Sequence, residues 1–173
     1  MSRTEFPLID LGEGLDRMLS RINALRSAPP EGNTRRSLAL AEEIMDALFD
    51  ASHHLAVYGS LAPGQSRHSV IEPVPGTWID ASVRGERDET GWGLTGGFPG
   101  MRLSAQAPLI SVKLFISKDL VSHWKRLDEF EGGEYRRFLV PVHGGEDLIT
   151  VANIYEVRAP RPSAGGVQTP HGF

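Results

Sequence analysis

The apolar positions of this chain fall into two textures. Over residues 11–25, Leu11, Leu15, Met18, Ile22 and Leu25 recur at steps of four and three, one stripe of an amphipathic helix. Leu38, Ala41, Met45 and Leu48, with Ile44 beside them, make a second stripe over residues 35–50, and Asn33 or Thr34 is the expected cap. Pro29, Pro30 and Gly32 separate the two, so a helical hairpin is predicted. From His54 the period changes. Residues 55–58, 77–85, 109–116, 135–142 and 148–157 read as strands, and helical spacing returns over 118–131. Helices followed by strands with one internal helix predict an α+β chain with a curled, barrel-like mixed sheet.

Composition sharpens that division. Of the 31 glycines and prolines, 6 lie in residues 1–50 and 25 in residues 51–173. Five glycines fall between Thr90 and Gly100, which predicts a loop rather than regular structure. The tail from Pro160 carries Pro162, Gly165, Gly166 and Pro170 and reads as poorly ordered. The expected organisation is a helical extension over 1–50, a domain over 51–159 and a flexible tail over 160–173. The hairpin carries no catalytic pattern; packing onto the domain and a homodimer contact are the two roles open to it.

A net charge of −4 leaves nothing to balance a phosphate backbone, so no nucleic-acid partner is expected. No apolar run approaches the roughly 20 residues that span a bilayer, and no secretory leader is visible. No membrane partner is expected, and the default location is the cytoplasm. Cysteine is absent, which removes thiolate nucleophiles and Cys-based metal sites. The six histidines are isolated or adjacent and form no HExxH, so no metal and no cofactor are expected. No serine sits in GxSxG. Gly59–Ser66 nearly matches a phosphate-binding loop, but Gln65 stands where that loop needs lysine.

One carboxylate stands out. Leu120, Trp124 and Leu127 form the apolar stripe of the 118–131 helix. At about 100° per residue, Glu131 falls about 20° from Leu120, Asp128 at about 80° and Glu129 near 180°. Glu131 therefore faces the core side, at a helix C-terminus where the macrodipole disfavours an anion. Gly132 and Gly133 follow as a helix stop. Burial and dipole both push its pKa upward, as a general acid/base near neutral pH requires. The alternatives are a frayed last turn open to solvent, or an ion pair with Arg136 or Arg137. A second feature is Tyr58-Gly59-Ser60-Leu61 at a strand end, where Gly59 permits a tight turn and the following N–H groups can point at an anion or carbonyl oxygen. Tyr58, Tyr135 and Tyr155 are all the tyrosines of the chain, and all three flank these features. They are candidates to line one pocket, each with a hydroxyl for orientation.

Taken in order, Val57-Tyr58-Gly59-Ser60-Leu61-Ala62-Pro63-Gly64, Pro75-Gly76-Thr77-Trp78, Val83-Arg84-Gly85, Gly96-Gly97-Phe98-Pro99-Gly100 and Leu127-Asp128-Glu129-Phe130-Glu131-Gly132 with Tyr135-Arg136-Arg137 and Val140 resemble the γ-glutamylcyclotransferase superfamily. The likeness is to its avirulence-induced-gene-like branch and covers roughly residues 54–157. It implies a small β-barrel-like α+β fold with a cavity at one end. It implies that Glu131 corresponds to the family's catalytic glutamate, and that the loop Tyr58–Leu61 cradles a γ-glutamyl group. The implied chemistry is intramolecular aminolysis, giving 5-oxoproline and a released amine. The same fold without catalysis, as a small-molecule binder, is the competing expectation, and an interaction module using the N-terminal hairpin is the third.

Overall fold

In the computed structural model, which describes residues 11–29, 31–88 and 100–157, both N-terminal stripes form helices, α1 (Leu11–Ser27) and α2 (Gly32–Phe49). The chain continues through β1 (His54–Val57), β2 (Thr77–Asp88), β3 (Gly100–Leu103), β4 (Leu109–Ile116), α3 (Leu120–Glu131), β5 (Tyr135–Gly144) and β6 (Asp147–Val157). The glycine-rich segment from Thr90, apart from Gly100, and the tail from Pro160 lie outside the described residues. Among the described residues no helix is long and apolar enough to cross a membrane.

The strands run in the order β2-β4-β1-β6-β5, and β5 returns to β2 where Ser82 meets His143. This closes a five-stranded barrel. It is mixed because β1 is antiparallel to β4 and parallel to β6, with Leu55 opposite Asn153. β3 extends the far end of β2, Gly85 opposite Leu103. The expected α+β barrel with flanking helices is therefore the fold. β3 escaped the sequence pattern because four residues are too few to show an alternation.

Strand alternation sorts the side chains. Ala56, Val83, Leu114, Val140, Val142 and Ile154 fill the barrel. Leu55, Val57, Phe115 and Tyr155 point outward from the same strands, under Leu120, Trp124 and Leu127 of α3. Leu61, Ile71 and Val74, from the segment after β1, complete that layer. Gly76 runs against it so closely that an added Cβ would lie 2.5 Å from the Phe115 ring and 2.7 Å from the Ile116 carbonyl. Gly76→Ala is expected to lower stability by roughly 1–3 kcal/mol in a thermal melt.

The hairpin lies on the other side of the barrel, where Leu15, Leu19, Ile22 and Met45 cover Leu139 and Val151. The side-chain amide of Asn23 donates to the Leu139 carbonyl and accepts its N–H, both at 2.8 Å. α1 thereby satisfies β5 on the edge where β2 does not reach it. Two sequence expectations are corrected here. Ile44 and Leu48, placed with the packed stripe of α2, are 43% and 63% exposed, and Leu40 beside them 60%. Neither Asn33 nor Thr34 caps α2: the helix begins one turn earlier than its apolar stripe, because Glu31 closes a turn onto the Pro29 carbonyl and takes the N-cap position itself.

Candidate functional site

The end of α3 is positioned by its own stripe. Leu120 and Leu127 are fully buried, and Trp124 Nε1 donates to the Ser52 carbonyl at 2.9 Å. Gly132, at φ 72°, stops the helix, and its N–H returns to the Asp128 carbonyl. Glu131, the last helical residue, is left half-buried. Burial pushes its carboxyl up to about 7, and the positive charge of Arg67 works in the opposite direction. Neither suggested arginine takes it. Arg137 Nε lies 3.1 Å from Asp128 Oδ1, with its guanidinium 4.3 Å from the Trp124 ring centre; Arg136 lies over Phe138. Among the described residues nothing hydrogen-bonds the Glu131 carboxylate. Glu156 differs: it accepts the Leu103 N–H at 2.8 Å and is thereby tied to β3. Burial raises its carboxyl too, opposed by that bond and by Arg136 and Arg102.

All three tyrosines lie within electrostatic reach of Glu131, but they do different things. Burial raises each phenol, so each remains a hydroxyl at neutral pH. Tyr58 donates to the Tyr155 carbonyl at 2.9 Å, and Tyr155 donates to Asp128 Oδ1 at 2.7 Å. Those two hydroxyls are committed to the scaffold. That of Tyr135 has no such bond among the described residues. Two of the clefts lined by described residues contain these tyrosines. Tyr58 borders a cleft of about 360 Å³ with Val57, Gly59, Ser60, Ser66 and Lys113. Tyr135 and Tyr155 border another of about 440 Å³ with Asp128, Gly132, Arg26 and Arg137. Glu131 lines neither of these two clefts.

The loop after β1 is held by its carbonyls. Gly59 O accepts the Ala62 N–H at 3.1 Å, Ser60 O accepts the Arg67 N–H at 3.0 Å, and Leu61 O lies 2.9 Å from His68 Nδ1. None of these bonds uses the N–H groups of Gly59, Ser60 or Leu61. The Leu61 side chain is buried beneath α3, so only its backbone is offered to a ligand. The role expected of Gly59 changes. Its φ is not positive, and an added Cβ would meet nothing within 4 Å. The tight turn is there, closed by the Gly59 carbonyl on the Ala62 N–H, but it does not call for glycine's backbone freedom at Gly59; the left-handed position of this loop is Gly64, at φ 77°. Gly59→Val should therefore melt within a few degrees of the parent while weakening binding of any ligand in that cleft, as titration calorimetry would read.

Arg67 is the site residue that sequence reasoning missed. It returns to Glu131 only through the fold of the loop, and its guanidinium lies 5.5 Å from the Phe130 ring centre. The one available signal was a cation three residues beyond Gly64 in a segment unsuited to a helix. Four histidines bond to nearby groups: His53 to Asp50, His54 to the Val151 carbonyl, His68 to Leu61 and His123 to the Asp119 carbonyl. Among the described residues no three His, Asp or Glu side chains are grouped to hold a metal ion.

The closed barrel thus carries, at the end of α3, a raised carboxyl within electrostatic reach of the Tyr135 phenol and of Arg67. The chain belongs to the gamma-glutamyl cyclotransferase, AIG2-like family, whose model matches residues 55–172. Among solved structures it is similar to the uncharacterized protein PH0828 from Pyrococcus horikoshii, at 20% identity over 62% of this chain and 80% of that one, with a TM-score of 0.44. An AIG2-like protein from Mus musculus is 18% identical over 62% of this chain and 80% of its own, with a TM-score of 0.47. YkqA from Bacillus subtilis is 21% identical over 61% of this chain, with a TM-score of 0.47, and the match spans 36% of that longer protein. No protein of curated function matches the chain.

Proposed function

We propose that this protein is a cyclotransferase acting on a γ-glutamyl amide, releasing 5-oxoproline and an amine or amino acid. The observation that carries the reading is Glu131: a half-buried carboxyl, pushed up to about 7, with no hydrogen bond from a described residue. A γ-glutamyl amide contains its own nucleophile. Its α-ammonium gives a proton to Glu131, and the freed amine attacks the γ-carbonyl. A carbon–nitrogen bond forms in the five-membered ring, and as the bond to the leaving nitrogen breaks Glu131 returns the first proton to it; the second proton of the ring nitrogen passes by the same carboxylate to the released amine, which departs as an ammonium. Atoms balance without water, metal or a covalent enzyme intermediate. The N–H groups of Gly59, Ser60 and Leu61 are the donors for the substrate's oxygens, and the Tyr135 hydroxyl is the side-chain donor free to orient it. Folding the substrate into its ring-closing shape supplies proximity.

The same geometry also serves a binder that does not turn over its ligand. A panel of γ-glutamyl amino acids, γ-glutamylamines and glutathione, assayed for 5-oxoproline, separates the two. Release from at least one member supports the enzyme; saturable binding with no release from any supports the binder.

A further inference from the structure

Beside the donor loop, one strand of the barrel stops before its neighbour does. β1 ends at Val57, opposite Lys113, while β4 runs on to Leu109. In an antiparallel ladder the main-chain groups of successive residues turn to opposite neighbours. Two bonds fix that phase on β4. The Gly85 N–H donates to the Pro108 carbonyl at 3.2 Å, so the bonded pairs on the β2 side are Val83–Ile110 and Ala81–Val112. The Ser117 N–H donates to the His53 carbonyl at 2.9 Å, so those on the β1 side are Leu55–Phe115 and Val57–Lys113. The next residue turned to the β1 side is Ser111. Gly59 would face it if β1 continued, but the Gly59 carbonyl closes the turn onto Ala62 instead. Among the described residues, neither the N–H nor the carbonyl of Ser111 makes a hydrogen bond on that side.

These two groups border the cleft of about 360 Å³, together with Tyr58, Gly59 and Ser60. That volume lies within the range of small-molecule pockets. The cleft therefore begins where the donor loop would hold the substrate's oxygens. A chain running from there past Ser111 toward Leu109 follows the direction of β1, antiparallel to β4. One of its residues can give its N–H to the Ser111 carbonyl and accept the Ser111 N–H on its own carbonyl, as an added strand does. We propose that this open edge of β4 binds the leaving group of the substrate, and that the leaving group is a peptide whose second residue pairs its main chain with Ser111. The γ-glutamyl part of the substrate rests on the cyclotransferase reading; the strand-accepting edge does not. The edge adds a specificity: γ-glutamyl peptides are favoured over γ-glutamyl derivatives of simple amines.

The test uses the full chain and three substrates assayed for 5-oxoproline. They are γ-glutamyl-alanyl-glycinamide, its analogue with an ester oxygen in place of the N–H between alanine and glycine, and γ-glutamylmethylamine, which has no chain beyond the leaving nitrogen. The wild type should show a kcat/KM about 10-fold higher for the peptide than for the methylamine, and about 3- to 10-fold higher than for the ester, the effect of one main-chain hydrogen bond. Ser111→Pro removes the N–H and puts a ring on the open edge. Proline is accommodated where a strand's N–H points away from its sheet, so this variant should fold, as a thermal melt reads. It should bring the three substrates to within about twofold of one another. If it does not fold, the peptide and ester on the wild type decide the matter. A wild type that turns over all three alike, or a folded Ser111→Pro that keeps the preference, would overturn the open-edge site and leave the cyclotransferase reading standing. No 5-oxoproline from these three or from the panel above would overturn that reading instead. Calorimetric titration of peptide and ester then tests the edge by itself: tighter binding of the peptide supports it, and equal binding overturns it.

Discussion

Replacing Glu131 by Gln is expected to reduce kcat by about 10²- to 10⁴-fold, the usual contribution of a positioned acid–base group, while leaving the fold intact. Glutamine keeps the shape and loses the proton acceptor. The wild type should show a rising limb in its rate–pH profile centred near 7, because the carboxyl must be ionised to accept the ammonium proton. Arg67 opposes the upward shift, so Arg67→Met should move that limb to higher pH. The same carboxyl has a stability signature of definite sign. Its folded pKa lies above its ordinary value, so the folded state holds the proton more tightly than the unfolded one. Stability from this group is therefore full at low pH and is lost as pH rises from the ordinary carboxylate range through about 7. Glu131→Gln should melt higher than the wild type at pH 8, with a smaller difference at pH 5. A variant that is inactive but equally pH-dependent in its melting would show that another group carries the shift.

The second large effect is expected far from the site. Asn153 is fully buried on β6 opposite β1, with its Nδ2 donating to the Ala51 carbonyl at 2.7 Å and its Oδ1 accepting from Arg26 Nη1 at 2.9 Å. Arg26 is in turn paired with Glu42 at 2.8 Å, and burial lowers its pKa. One amide thus joins the barrel, the turn before β1 and a buried cation of the helical hairpin. Asn153→Ala removes one of the two bonds to the Ala51 carbonyl, which keeps the His54 N–H, and leaves Arg26 with Glu42 as its remaining side-chain partner. A loss of roughly 2–4 kcal/mol is expected, since a buried cation that loses a hydrogen-bond partner costs more than the bond it made. Chemical denaturation measures it, and a loss under 1 kcal/mol would mean that water replaces the amide.

What was legible in the sequence follows from how local each feature is. The position of Glu131 could be read because it depends on one helix: three apolar residues set the face and Gly132 sets the end. The barrel strands could be read where alternation ran for eight or more residues, as in β4 and β6, or where a short run was wholly apolar, as in β1, whereas Gly100–Leu103 of β3 shows neither. Gly59 shows the limit of reading residue type alone. A glycine at a turn suggests a backbone need, but its ordinary φ and the open space around its Cα show that the fold does not require glycine there. Arg67 and Asn153 were invisible for a related reason. Each acts on a partner supplied by a distant segment, and nothing in spacing along the chain brings Arg67 to Phe130 or Asn153 to Arg26. The exposed face of α2 was misread because a stripe has a width, and which part of it packs is decided by the barrel beneath.

The central claim is that Glu131 moves a proton within a self-cyclising γ-glutamyl substrate. It is tested most directly by product analysis on a γ-glutamyl substrate in ¹⁸O-labelled water, with wild type and Glu131→Gln side by side. The account predicts unlabelled 5-oxoproline and amine in equal amounts from the wild type, and neither above background from the variant. Labelled free glutamate in place of 5-oxoproline, or undiminished 5-oxoproline from Glu131→Gln, would contradict it.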